Sequence, residues 1–107
     1  MKTLNRRDFG VAVAAAMLLP VTHARADDME VHIDNFTFQP AELTVKVGTT
    51  VTWTNRDDIP HTIVSAGKFR SKTLDTDNQF SFTFTAAGDY KYFCSLHPHM
   101  TGLIKVE

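Results

Sequence analysis

The sequence has one cysteine, Cys94, so no disulfide can form within the chain and a disulfide-built scaffold is excluded. It has no surplus of either charge: 11 basic side chains stand against 12 acidic ones, which excludes binding to nucleic acid by neutralising phosphates. Its longest apolar run, Gly10–Leu19, is far short of the ~20 residues that cross a bilayer, so no membrane span is expected. Neither is it poor in apolar residues: 43% of the chain is hydrophobic, too much for a disordered segment. With 107 residues, it has room for one compact domain.

The short apolar run has a function of its own. Lys2, Arg6 and Arg7 precede it, and Pro20 and the small-residue site Ala24-Arg25-Ala26 follow it, the order of a bacterial export signal. Residues 1–26 read as that signal and 27–107 as a single mature domain, which places the protein in the periplasm. Arg6-Arg7 before Asp8-Phe9 resembles the twin-arginine consensus, and Arg25 near the cleavage site fits that route better than the Sec route; a Sec signal that carries two arginines is the alternative. The mature part has seven bases and eleven acids, a net charge of −4. A domain of this size buries only about 60–65% of its chain surface on folding, and exported domains usually compensate with disulfides. A lone thiol in an oxidising compartment therefore points to a bound metal.

The mature chain alternates with a period of two. Val31-His32-Ile33, Leu43–Val47, Val51–Thr54, Phe80–Phe84, Tyr90–Tyr92 and Leu103–Val106 read as strands, with turns at Gln39-Pro40, Val47-Gly48, Asn55–Asp58 and Ala87–Asp89. The expected fold is all-β, an antiparallel sandwich or barrel with little helix. Val47, Val51, Trp53, Phe80, Phe82, Phe84, Tyr90 and Tyr92 are the expected core or core-edge positions. Ala66–Asn78 reads as a surface excursion, Asp57-Asp58 as a solvated turn, His99 as a solvated loop residue and His32 as solvent-facing on its strand.

Chemistry concentrates between Tyr92 and Gly102. A thiol, an imidazole and a thioether recur every three residues at Cys94, His97 and Met100, on a loop that Pro98 stiffens and from which Gly102 lets the chain turn. A second imidazole, His61, follows Pro60 at the end of a polar turn. Two imidazoles, one thiolate and a weak thioether form the ligand set of a blue-copper electron-transfer site, in which a long axial bond tunes the potential. Met100 taken alone is the weakest of the four, because other groups also serve as the axial ligand.

The motifs Glu42–Gly48 (ELTVKVG), Thr50–Asn55 (TVTWTN), Pro60-His61, Phe82–Gly88 (FTFTAAG) and the C-x-x-H-P-x-M loop of Cys94–Met100 resemble the small blue copper proteins, cupredoxins of the plastocyanin type and most of all the amicyanins. The resemblance runs over nearly the whole mature chain. It implies a Greek-key β-sandwich or barrel of about seven to eight strands, with His61, Cys94, His97 and Met100 holding one copper ion that cycles between Cu(I) and Cu(II). It further implies that Asn55 ties the two ligand loops together near the sulfur, and that His97 meets redox partners within an apolar patch built here by Ile59, Pro60, Leu96 and Pro98. The expected role is a monomeric one-electron carrier, not an enzyme, with transient protein partners such as a dehydrogenase or a c-type cytochrome. His99, where the amicyanins have an aromatic, and a shorter N-terminal region are departures, so partner identity does not carry over.

Other classes fit less well. Copper delivery favours exposed Met/His clusters over one closed thiolate site. A Cys–His nucleophile lacks an evident orienting acid, a copper oxidase lacks a further histidine cluster, and a structural zinc site disfavours a thioether.

Overall fold

The computed structural model describes residues 28–107; the stretch read as an export signal lies outside them. Nine strands follow in order: β1 (Asp28–Asp34), β2 (Thr37–Gln39), β3 (Glu42–Val45), β4 (Thr50–Asn55), β5 (Val64–Ser65), β6 (Phe69–Arg70), β7 (Gln79–Thr83), β8 (Gly88–Phe93) and β9 (Thr101–Val106). They form two sheets, one ordered β2-β1-β4-β7 and the other β3-β9-β8-β5-β6, with no helix among the described residues. The sandwich is all-β, as the period-two pattern requires. It is mixed rather than purely antiparallel, because β1 pairs parallel with β4 and β3 parallel with β9. Parallel neighbours need long connections, which the chain makes by passing between sheets.

Alternation places one face of each strand inside. Val31 and Ile33 of β1 and Val51 and Trp53 of β4 are fully buried, as are Phe84 beyond β7 and Ile104 of β9. Trp53 meets Tyr92 edge-on from the opposite sheet at 5.4 Å and Phe80 at 5.8 Å, and Phe38 meets Tyr92 at 4.7 Å. Aromatic pairs of this kind contribute about 0.5–1.5 kcal/mol each beyond burial. Phe80, Phe82 and Tyr90 lie at the edge of this cluster.

Three expectations fail, each for a local reason. Val47 is 47% exposed, because β3 ends at Val45 and the chain turns away through Gly48, whose φ of +98° only glycine adopts easily. The segment Ala66–Asn78 is no excursion. It supplies β6, buries Phe69, Ser71 and Leu74, and accounts for the strand count of nine together with the short β2 and β5. Gly102 sits inside β9 opposite Tyr92, and a Cβ there would collide with the Tyr92 ring. The glycine is needed for that close approach, not for a turn.

Candidate metal centre

One end of the sandwich collects the chemistry. β4 delivers Asn55 and the loop to His61; β8 ends at Phe93, Cys94 follows, and the return to β9 passes through His97 and Met100. The return loop is tight because its backbone closes on itself: Met100 N–H donates to His97 O at 2.9 Å, His97 N–H to Cys94 O at 3.2 Å and Cys94 N–H to Met100 O at 3.1 Å. The upstream loop is held by a two-way bridge in which His61 and Leu74 exchange backbone hydrogen bonds at 3.1 and 2.8 Å.

These anchors bring His61 Nδ1 and His97 Nδ1 each to 3.7 Å from Cys94 Sγ, and the ligand atoms of the three residues all lie within 4.8 Å of one another. Cys94 and His61 are fully buried, Met100 is 5% exposed and His97 is half-buried. Two imidazole nitrogens and one thiol sulfur, with no carboxylate in the cluster, are soft donors that suit copper and disfavour magnesium or calcium. Met100 closes the loop beside them. A carboxylate four residues before the buried histidine fixes its orientation: His61 Nε2–H donates to Asp57 Oδ2 at 2.7 Å, which turns Nδ1 toward the sulfur.

Asp57 is therefore not part of a solvated turn; its side chain is only 11% exposed, while Asp58 beside it is exposed. It also accepts the backbone N–H of Asn35 at 2.6 Å and of Phe36 at 3.0 Å. Burial alone would raise the Asp57 carboxyl, but the N–H groups of Phe36 and Asn35 and the His61 ring outweigh it and hold it below the usual value. Asn35 and Phe36 form the two-residue turn between β1 and β2, with φ of 53° and 59°. The Phe36 ring stands edge-on to His97 at 5.1 Å and to His61 at 5.6 Å.

The link between the two ligand loops is Thr62, not Asn55. Asn55 Nδ2 donates to the carbonyls of Ile59 and Leu74, both at 2.9 Å, and its Oδ1 accepts Asp57 N–H at 2.9 Å, so it ties the upstream loop to the 74–78 segment and makes no bond to the Cys94–Met100 loop. Thr62 N–H points at Cys94 Sγ from 3.4 Å. Its hydroxyl oxygen accepts Ser95 N–H at 2.8 Å and lies 2.8 Å from Ser95 Oγ. Sequence reading missed Phe36, Asp57 and Thr62. For Asp57, the i, i+4 spacing to His61 was the available signal. His32 and His99 are exposed, and His32 bonds only its strand neighbour Glu30 at 3.2 Å.

A two-sheet β-sandwich with a buried His-Cys-His cluster between two loops at one end defines a class: the small blue copper electron carriers. The chain belongs to the cupredoxins, matching the cupredoxin-like domain over residues 9–106. Within them it is similar to amicyanin of Paracoccus versutus (38% identical over 88 residues, 77% of this chain and 67% of the relative). It is also similar to amicyanin-alpha of Methylorubrum extorquens (36% over 102 residues, 90% and 86%). Among solved structures, a purple cupredoxin from Nitrosopumilus maritimus superposes with a TM-score of 0.72 at 38% identity, covering 75% of this chain and all of the other. The amicyanin branch thus carries the resemblance at the level of sequence. The cofactor of this class is one copper ion.

Proposed function

We propose that His61, Cys94, His97 and Met100 hold one copper ion, and that the protein passes single electrons between redox proteins in the bacterial periplasm without itself catalysing a reaction. The observation that carries this is the convergence of two imidazole nitrogens and one sulfur within 4.8 Å on a largely buried, braced platform. Copper bound there would supply a one-electron redox couple. The chain's own part is to hold the donors still. Asp57 fixes His61, Thr62 N–H steadies the sulfur, and the self-closed loop positions His97 and Met100, so gain or loss of an electron need not rearrange the site. His61 is sealed off from solvent while His97 is half-buried, so His97 offers the shorter path to a partner. Leu96, Pro60 and Pro98 are exposed and Ile59 half-buried around it, a small apolar face of the kind weak redox complexes use.

The N-terminal Arg6-Arg7 pair, the Gly10–Leu19 run and Ala24-Arg25-Ala26 support export with cleavage after Ala26, by the twin-arginine route, to give a monomer over 27–107. Partners of the dehydrogenase or c-type cytochrome kind fit a carrier of this size. The test is direct. Purified protein mixed with Cu(II) should take up one equivalent and develop an intense visible sulfur-to-copper band that bleaches reversibly on reduction, and Cys94→Ala should lose the band entirely. A colourless one-to-one complex, or a blue Cys94→Ala variant, would end the proposal. Leu96→Asp or Pro98→Asp should slow transfer to a partner while leaving that band in place.

A further inference from the structure

The four residues of the centre differ in how far they can be reached. Cys94 and His61 have no exposed surface, Met100 has 5%, and only His97 is half-buried. The upstream side is closed: Asp57 holds the outer nitrogen of His61 at 2.7 Å, and the Phe36 ring stands edge-on across both histidines. Thr62 and Ser95 close the side of the sulfur, with Thr62 N–H 3.4 Å from Cys94 Sγ and the two hydroxyl oxygens 2.8 Å apart. The way in for an ion therefore runs along the Cys94–Met100 loop, past His97.

Taking a charged ion into a buried site is costly until protein donors replace the groups it carries from solution. The cost is lowest when those donors are met one at a time, from the surface inward. The loop presents them in that way: His99 is exposed, His97 half-buried, Met100 nearly buried and Cys94 sealed. His97, Pro98, His99 and Met100 occupy the four positions of one turn, which Met100 N–H closes by donating to His97 O at 2.9 Å. The exposed imidazole is thus fixed two positions from the half-buried one, not carried on a free segment. Nothing on the loop competes with it, since residues 94–100 include no Asp or Glu. The exposed His32 ring meets Glu30 at 3.2 Å, whereas His99 has no hydrogen-bond partner among the described residues.

We propose that His99 is a capture ligand for copper: its imidazole takes the incoming ion, passes it to His97 and releases it once the buried donors hold it. The inference rests on the copper-site reading above. Imidazole suits copper in either oxidation state, so the same residue serves whichever ion is supplied. Each protein donor replaces one water or carrier ligand, the Cys94 thiol proton passes to solvent, and no electron moves. His99 belongs to the path and not to the finished site, which fixes its kinetic signature. A group that touches the ion only in passage speeds entry and exit by the same factor and leaves affinity unchanged.

Stopped-flow mixing of the metal-free protein with Cu(II) at neutral pH, followed at the visible sulfur-to-copper band, tests this. His99→Gln should take up copper several-fold more slowly than wild type at low Cu(II). Loss of copper from the loaded variant to a saturating chelator should slow by the same factor, with the position of the band, the reduction potential and the equilibrium affinity unchanged. His32→Gln, at the other exposed imidazole, should match wild type in both directions. Equal uptake by wild type and His99→Gln would overturn the capture role. So would slower uptake joined to faster loss and weaker binding, which would mark His99 as part of the site's structure. A wild-type protein that takes up no copper would instead overturn the copper-site reading beneath it.

Discussion

The two histidines of the centre sit in loops built on different principles. His61 is completely buried, its outer nitrogen engaged by Asp57 and its backbone bridged both ways to Leu74. His97 is half-buried and depends on a seven-residue loop, Cys94–Met100, whose backbone bonds are mostly internal. The first loop resembles a fixed wall, the second a door frame. A carrier needs both: one ligand that cannot shift, so the site keeps its shape, and one near enough to the surface for an electron to leave. Thr62 joins the two, with its N–H on the sulfur and its hydroxyl on Ser95.

Substitutions can separate these roles. The largest effect is expected at the wall. Asp57→Asn keeps the size of the side chain but removes the charge that accepts from His61, Asn35 and Phe36, and should weaken copper binding by about 10–100-fold, read by competition against a chelator. If affinity is unchanged, the Asp57–His61 contact is incidental and the contrast between the loops loses its basis. A smaller effect is expected at the joint. Thr62→Val leaves the N–H on the sulfur but removes the acceptor of Ser95 N–H, and should lower stability by about 1 kcal/mol and shift the potential, with Thr62→Ser restoring both. A full-strength Thr62→Val protein would show that the loops hold independently.

A third effect, seen only in alkali, lies below the centre, in the core they share. Burial pushes the Tyr92 hydroxyl up to about 12, against about 10 in an unfolded chain. A group whose folded value is raised stabilises the fold fully below the unfolded value and loses that contribution as pH rises through the folded one. The metal-free protein should therefore lose stability between about pH 10 and 12, and Tyr92→Phe should flatten that part of the denaturation profile. An unchanged slope would mean that the hydroxyl reaches solvent.

Much of this was legible in the residues. Alternation located the six longer strands because each buries one face, and the spacing of Cys94, His97 and Met100 identified the loop because soft donors rarely recur every three residues by chance. What escaped was whatever depends on contacts between distant turns. Asp57 reads as a hydrophilic turn residue until Asn35 and Phe36, more than 20 positions earlier, are seen to donate to it. β5 and β6 have two residues each, too few to display a period. Thr62 follows His61 directly, and nothing in its neighbours marks its hydroxyl for Ser95, 33 positions away. The family resemblance gives Asn55 the joining role, yet its amide is already committed to Ile59 and Leu74.

The position of β9 has a consequence for how the molecule holds together. Thr101–Val106 lies between β3 and β8 and is bonded to both, so this inner strand is the seam of the larger sheet. Without it β3 has no partner in that sheet and the Cys94–Met100 loop has no second anchor. Loosening one strand would therefore undo the sheet and the metal platform together.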